Sequence, residues 1–262
     1  MFAVRTEADF APQRDYVTAL ARGLSVLRGF AGLRGPVGLA ELARRVGLPR
    51  ATVRRALITL RALGYVEEAD GAFRLSAQVL TLAEAYLSSA LLPRVAQPVL
   101  DRLSESVGES CSVSILQGED AIYVARSRRR RPGSLHRDVG TRLPAHCTSM
   151  GRVLLAALPP AGLDAFFRRA RPHRYTPRTL VEEVALRAAI AEAGREGYAL
   201  VEGELEPDLT GLAVPVRNAA GEVVAALNVG LQGEVPPRRV LLSRLLPALR
   251  EAAAEMRPML IG

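Results

Sequence analysis

Three successive segments in the amino-terminal quarter of the chain have apolar residues at three- and four-residue spacing. This spacing places apolar side chains on one face of a helix, so it predicts amphipathic helices over residues 16–30, 39–46 and 49–63. A Gly-Leu pair separates the second helix from the third, and Pro49 is suited to a first helical turn. The pattern indicates a helix-turn-helix.

A β-hairpin is predicted directly after the third helix. Two short apolar segments flank Asp70-Gly71, and this dipeptide favours a tight two-residue turn. Three helices followed by a hairpin are typical of a winged helix-turn-helix, which we assign to residues 15–75. Residues 1–14 show no period, and we expect a flexible arm there.

A second domain is predicted after a connecting helix. Residues 76–90 form an amphipathic stripe with no partner in the small domain, so we interpret them as a linker helix and a dimer contact. Residues 91–262 begin with another helical stripe and then alternate between strand and helix patterns, which favours a sheet covered by helices and an α+β chain overall. Strands are predicted at residues 110–116, 120–125, 135–139, 198–201, 211–216 and 223–229, and helices from about residue 149 and at 161–170, 180–196 and 236–259.

Positive charge is concentrated in the predicted helix-turn-helix region. The first 75 residues hold 12 Arg and 7 acidic residues, which leaves +5, whereas the other 187 hold 23 Arg and 20 acidic residues, which leaves +3. Six arginines and no acidic residue lie between Arg44 and Arg61. Such a helix is suited to lie against phosphates and base edges, although the alternative of a solvated arginine face remains open.

Candidate DNA contacts follow from the orientation of the third helix. Its apolar residues face inward, so the remaining residues lie outside. Arg can donate two hydrogen bonds to O6 and N7 of guanine, and Thr can bond a base edge or touch a thymine methyl group. The wing adds one basic residue suited to a backbone contact. The predicted DNA-contacting residues are Arg50, Ala51, Thr52, Arg54, Arg55 and Arg74.

The sequence predicts an anion site where extended Leu143-Pro144 leads into residues 146–151. A helix that begins near Ser149 directs free amide groups and the positive end of its dipole at a bound anion. Thr148 or Ser149 could also cap this helix, and capping is compatible with binding. We therefore predict a carboxylate site at this point.

An enzyme or redox sensor that uses Cys147 is the alternative function. A helix start beside a cation lowers the pKa of a thiol, but adjacent residues of an extended segment point to opposite sides, which places His146 poorly for activating this cysteine. We therefore expect no enzymatic activity and no catalytic residue. A redox pair of Cys111 with Cys147 stays open.

Other functions are disfavoured by the distribution of residues. The histidines, His136, His146 and His173, are scattered, so we expect no metal site and no cofactor. Apolar runs are too short to cross a bilayer and the amino end lacks a signal-peptide core, so we expect a cytoplasmic protein with no membrane role. The run Arg128–Arg131 is either an exposed loop or a second anion contact.

Six segments in this order resemble the IclR family of bacterial transcription regulators, and most closely its subgroup that controls the catabolism of protocatechuate and other aromatic acids. They are ALARGLSVLRGF, ELARRVGLPRATVRRALITLRALGYV, GESCSVSILQG, RLPAHCTSMGRVLLAAL, GYALVEGELEPDLTGLAVPV and VVAALNVG.

The resemblance implies a winged helix-turn-helix, a linker helix and a GAF-like effector-binding domain, in dimers or dimers of dimers that bind palindromic promoter DNA. A small carboxylated metabolite, from aromatic catabolism, would modulate promoter affinity, and activation and repression both stay open. The resemblance places effector contacts at His146, Thr148, Ser149, Met150, Gly151, Glu202, Glu204, Asn228 and Gly230.

Overall fold

The computed structural model describes residues 15–33, 35–127 and 137–261, and it divides into two compact units, Met1–Ser89 and Ala90–Gly262. The arm expected over residues 1–14 and the arginine run at residues 128–131 lie outside the described residues.

The first unit packs helices and a small antiparallel sheet around an apolar core. Its strands are ordered β1-β3-β2. Asp70 and Gly71 both have positive φ, 53° and 74°, as a tight two-residue hairpin turn requires. Buried Val26, Leu42 and Leu57 hold its helices together. The elements are α1 (Thr18–Gly29), β1 (Val37–Gly38), α2 (Leu39–Val46), α3 (Arg50–Ala62), β2 (Val66–Ala69) and β3 (Ala72–Leu75).

The segment predicted as one linker helix has two parts. Ser76 caps a 3-10 turn, Ala77–Val79, by accepting a hydrogen bond from the Gln78 amide at 3.1 Å. The helix α4 (Leu80–Ser89) follows and has no buried residue. Its large apolar side chains are therefore available to another surface.

The second unit is built on a six-stranded sheet in the order β6-β5-β4-β9-β8-β7, and every pairing is antiparallel. The strand predicted at residues 135–139 is wrong for its described part, residues 137–139. There the Thr141 amide donates to the Asp138 carbonyl at 2.9 Å, which closes a turn. The strands are β4 (Ser110–Gln117), β5 (Asp120–Ser127), β6 (Arg142–Pro144), β7 (Ala199–Glu202), β8 (Leu209–Arg217) and β9 (Val223–Gln232).

Helices cover both faces of this sheet. The first and last helices share one buried cluster with Val113, Leu212 and Leu227 on one face. On the other face, Met150 and Ala193 join a cluster with sheet residues. Cores on both sides explain why the strand residues are buried without clean alternation. The helices are α5 (Leu91–Val107), α6 (Ser149–Ala156), α7 (Pro160–Arg169), α8 (Glu183–Glu196) and α9 (Arg238–Met256).

Candidate functional site

A row of polar side chains crosses the sheet on the face next to α6. Ser112 on β4 is the register partner of Arg126 on β5 and of Asn228 on β9. Neighbouring strands lie about 4.8 Å apart, so the Cα atoms of Arg126 and Asn228 are separated by about 10 Å. The three side chains share one face because directly paired residues point to the same side of a sheet.

A cavity is lined by Arg126 and Asn228 of this row and by the start of α6. Gly211 and Gly230 are paired on β8 and β9 and belong to its lining. A Cβ at Gly211 would come within 2.7 Å of the Ser149 Oγ, whereas a Cβ at Gly230 would meet no atom within 4 Å. The first glycine therefore allows close approach of α6, and the second leaves open space over the sheet.

The cavity has room for a small organic ligand. The cavity volume is about 80 Å³, whereas a single water needs only about 10–15 Å³. Tyr123, Leu143, Met150 and Leu205 give it apolar walls. Such walls with a few polar groups are typical of a ligand-binding pocket.

Two arginines line this cavity. The Arg126 Nη1 donates to the Ser112 Oγ at 2.7 Å, and its guanidinium carbon lies 5.0 Å from the centre of the Tyr123 ring. Within the described part of the chain, the buried Nε of Arg126 has no hydrogen-bond partner. Arg137 also lines the cavity and is paired with Glu206. The sequence-predicted effector contacts include neither arginine.

Five of the sequence-predicted effector residues line the cavity. The Thr148 Oγ1 accepts from the Gly151 amide at 3.3 Å, so Thr148 caps α6, and it also donates to the Pro144 carbonyl at 2.9 Å. Ser149 is buried in the first turn of α6. Those lining the cavity are Thr148, Ser149, Met150, Asn228 and Gly230.

The other four predicted residues have different surroundings. A Cβ at Gly151 would lie 2.1 Å from the Ala145 carbonyl oxygen, so Gly151 permits close packing of backbone. The His146 Nε2 lies 3.1 Å from the His173 carbonyl, and burial lowers the pKa of His146. Glu202 is exposed at the end of β7, and Glu204 is buried outside the cavity lining. None of these four lines the cavity.

Glu204 forms a buried ion pair with Arg152 of α6. The Arg152 Nη2 donates to both carboxylate oxygens, at 2.6 and 2.8 Å, and each side chain is only 8% exposed. The Leu180 amide donates to the same carboxylate at 3.1 Å, and the Thr179 hydroxyl donates to the Glu204 carbonyl at 2.6 Å. The helix α8 begins at Glu183 and not at residue 180 as predicted.

The outer surface of α3 carries the candidate DNA contacts. Val53, Leu57 and Leu60 are buried, as the sequence predicts. The predicted contact residues of α3 are exposed except Thr52, which is half-buried. Within residues 15–33, 35–127 and 137–261, the guanidinium groups of Arg50, Arg54 and Arg55 form no ion pair, so they are available to phosphates or bases.

The arginines around the wing differ from these three. Arg61, near the end of α3, is paired with Glu68 of the wing. Arg74, the predicted backbone contact, is paired with Glu67 at 2.6 Å. Since each charge has a carboxylate beside it, these two arginines offer less net positive potential than those at the start of α3.

Comparison with known sequences identifies the family. The profile of the IclR C-terminal domain of bacterial transcriptional regulators matches residues 84–257, and that of the IclR helix-turn-helix domain matches residues 19–70. The chain belongs to the IclR family. It is therefore a DNA-binding transcription regulator and not an enzyme, and the predicted α+β architecture is confirmed.

Individual members of the IclR family are similar over nearly the whole chain. The Pca regulon regulatory protein of Pseudomonas putida is 41% identical over 97% of this chain and 87% of its own length. The p-hydroxybenzoate hydroxylase transcriptional activator of Acinetobacter baylyi is 36% identical over 93% and 92%. The crystal structure of an IclR homologue from Microbacterium hydrocarbonoxydans, complexed with 4-hydroxybenzoate, has a TM-score of 0.76 and 30% identity over 93% of this chain and 99% of that one. The predicted similarity to regulators of aromatic-acid catabolism is confirmed.

The redox alternative receives no support from these relatives. Burial raises the pKa of the Cys147 thiol to about 12, and burial likewise raises that of Cys111 to about 12. Both thiols are therefore protonated at neutral pH, whereas a reactive cysteine must be a thiolate.

No described helix has the length and apolar composition to cross a membrane.

Native protein should therefore react slowly with Ellman's reagent at about pH 8, because only the thiolate attacks. A pKa raised from 9.0 to about 12 lowers the thiolate fraction about 1,000-fold. We expect two thiols to react at once in denaturant and neither to react promptly in the native protein. Prompt reaction of a native thiol would contradict the burial of these side chains.

Proposed function

We propose that this IclR-family regulator binds its promoter through the outer surface of α3, and that a small aromatic carboxylate in the cavity next to α6 changes its affinity for that promoter. Two observations about relatives support an aromatic acid: the Microbacterium homologue binds 4-hydroxybenzoate, and the Acinetobacter relative is named as an activator of p-hydroxybenzoate hydroxylase. The regulator would act in the cytoplasm, where promoter DNA lies.

The observation that carries the carboxylate assignment is the Arg126 side chain. Arg126 lines the cavity, and its buried Nε lacks a partner among the described residues. A buried unpaired donor is costly, and an ionised carboxylate offers it a charge-assisted hydrogen bond, which is about twice as strong as a neutral one. A bound carboxylate would therefore satisfy Arg126, with Thr148, Ser149 and Met150 beside it at the start of α6.

Self-association as a dimer, or as a dimer of dimers, would present two copies of α3 to palindromic DNA. Two recognition helices must then match half-sites about 34–36 Å apart, or a multiple of that spacing. The apolar side chains of α4 support such association, since Leu80, Leu82 and Tyr86 are exposed by 68%, 51% and 45%. The dimer can adopt arrangements that differ in promoter affinity. The effector changes promoter binding only if it binds these arrangements with different free energies.

Calorimetric titration with benzoate and 4-hydroxybenzoate tests the carboxylate site. Wild-type protein should bind at least one of these acids, and Arg126→Met should weaken binding about 10- to 100-fold, since a hydrogen bond to a charged group contributes about 1.5–3 kcal/mol. Arg142→Met is the matched control because Arg142 is exposed on β6, paired with Asp120 at 3.0 Å, and outside the cavity lining. Equal affinity of the Arg126→Met and wild-type proteins would overturn the assignment.

A further inference from the structure

The end of α7 and the segment that follows it carry a high density of arginine. We call residues 168–178 the basic loop, and its arginines are Arg168, Arg169, Arg171, Arg174 and Arg178. We infer that the basic loop is a second DNA contact, which binds the phosphate backbone of the duplex that flanks the site contacted by α3. The inference goes beyond the proposed function, which places the promoter contacts on α3.

The positive charge of the basic loop has no neighbouring carboxylate to compensate it. Asp164 and Glu182 are the nearest acidic residues along the chain on either side. All five arginines of the loop are exposed, and no ion pair involves them in the part of the chain that the structure describes. Arg102, Arg142 and Arg195 of the same unit are also exposed, but each is paired with a carboxylate. The basic loop therefore presents a dense positive surface to solvent.

Backbone carbonyls hold two of these arginines in place. The Arg171 Nη1 donates to the carbonyls of Arg168 and Ala170, at 3.2 and 3.0 Å, at the end of α7. The Arg174 Nη1 donates to the Thr179 carbonyl at 3.1 Å. A carbonyl is neutral, so both guanidinium groups keep their charge and their donors on Nε and Nη2. Because these side chains are already ordered, they lose little conformational freedom when they bind a phosphate.

Two buried threonines fix the backbone of the same segment. The Thr179 Oγ1 accepts from the Tyr175 and Thr176 amides at 3.0 and 2.8 Å. The Thr176 Oγ1 donates to the Gly203 carbonyl at 2.6 Å and accepts from the Arg178 amide at 3.1 Å. The arginines of the basic loop therefore project from an ordered turn.

The phosphate backbone of duplex DNA is the partner that this surface fits. A guanidinium group presents paired donors that match the oxygens of a phosphate. A duplex carries one negative charge for about every 1.7 Å of its axis, so closely spaced arginines meet several phosphates. Because the chain is a DNA-binding regulator, DNA beside its bound site is tethered to the same protein and has a high effective concentration.

The composition of the basic loop disfavours a protein partner and a lipid surface. Within the loop, Tyr175 is the exposed large apolar side chain, at 41%. Protein interfaces have an apolar centre, and segments that lie on a membrane insert several apolar side chains. A surface of arginines with a single exposed aromatic ring is suited to phosphates, and its binding should not depend on base sequence.

Duplexes of two lengths test the inference with the full-length protein. Both contain one site that the protein selects from a random-sequence pool, and the longer one adds roughly two helical turns, about 20 base pairs, of unrelated sequence on each side. Fluorescence anisotropy at several salt concentrations gives the affinities. Wild-type protein should bind the long duplex about 10-fold more tightly than the short one, with a steeper dependence on salt, because additional phosphates are contacted.

A triple replacement assigns this preference to the basic loop. Arg168, Arg169 and Arg178 are replaced together with alanine, because their exposed side chains donate no hydrogen bond to the described residues and the fold should persist. This variant should bind the short duplex within about 3-fold of wild type and lose the preference for the long one. Its salt slope on the long duplex should fall by up to about 2.7, about 0.9 for each phosphate contact.

The matched control removes three positive charges elsewhere in the same unit. It replaces Arg102, Arg142 and Arg195 with alanine, since each of these exposed arginines already has a carboxylate partner. The control should keep the preference for the long duplex. Arg169→Ala alone, with an expected fall of about 0.9 in the salt slope, takes the place of the triple variant if that protein does not fold.

The outcomes separate this inference from the proposed function. Equal binding of the two duplexes by wild type, an unchanged preference in the loop variant, or an equal loss in the control would each overturn the second contact and leave α3 in place. The inference also fails if the loop variant keeps the preference but loses wild-type binding to anionic lipid vesicles. If wild-type protein selects no duplex at all, the proposed promoter contact is contradicted.

Discussion

Replacement of Arg152 with methionine should lower the free energy of unfolding of the unit Ala90–Gly262 by about 3–5 kcal/mol, because it leaves the buried carboxylate of Glu204 without its cation. Among the described residues, the Leu180 amide would then be the remaining donor to this carboxylate. Urea unfolding followed by circular dichroism measures the change. The variant should show a lower midpoint for the transition of this unit.

Two further variants show whether burial causes this loss. Arg152→Met combined with Glu204→Leu should recover most of the stability, since buried ion pairs can be replaced by apolar residues of similar volume at little cost. Arg102→Met removes an exposed ion pair with Glu255 and should cost no more than about 1 kcal/mol. If Arg152→Met were no more harmful than Arg102→Met, the buried pair would not have the role assigned to it.

The second large effect is expected on promoter binding. Replacing Arg54 and Arg55 together with alanine should weaken DNA binding by about 2–4 kcal/mol, which is about 30- to 1,000-fold, whether the side chains contact bases or phosphates. Fluorescence anisotropy of labelled promoter DNA at several salt concentrations distinguishes the two roles. Loss of a phosphate contact lowers the slope of log affinity against log salt by about 0.9 for each arginine.

Arg61→Ala is the matched control on the same helix. Arg61 lies on α3 like Arg54 and Arg55, but its charge is paired with Glu68 of the wing. We expect its replacement to weaken DNA binding by less than 10-fold, about 1.4 kcal/mol. If Arg61→Ala were as harmful as the double replacement, the free guanidinium groups at the start of α3 would not be the main contacts.

Most helices and strands could be predicted because their apolar spacing is regular and their ends carry clear signals. The bounds of α2 are those predicted, since its apolar stripe ends directly before Gly47, which adopts φ 68°. Asp70-Gly71 likewise marks the wing. The strand prediction was wrong for residues 137–139, the described part of the segment 135–139, because local spacing does not show the turn between Asp138 and Thr141.

Arg126 could not be assigned to the cavity from strand alternation alone. Alternation places it on the same face as Val124, which belongs to the core shared with α5 and α9. The pairing of β4 with β5 shifts between Val113 and Ser114, so Arg126 shares a face with Tyr123 instead. A bulge of this kind changes the face of the sheet to which the following residues point, and no local residue pattern predicts this bulge.

The surroundings of Glu204 were equally hidden in the sequence. Its partner Arg152 lies 52 positions earlier, and the acidic segment around Glu204 resembles an ordinary solvated loop. The close packing at Gly151 could not be predicted for a similar reason. Its contact with Ala145 depends on how the 3-10 turn Ala145–Cys147 packs against α6. Side-chain contacts between distant segments require the three-dimensional structure.

Coupling between the cavity and the promoter is the central claim, and one titration measures it directly. A labelled duplex that the protein selects from a random-sequence pool is titrated with wild-type protein, with and without a saturating aromatic acid that binds it. The acid should change DNA affinity about 5- to 150-fold, a coupling of about 1–3 kcal/mol, and Arg126→Met should need more acid for the same change. Identical DNA affinity in the presence and absence of the bound acid would contradict the account.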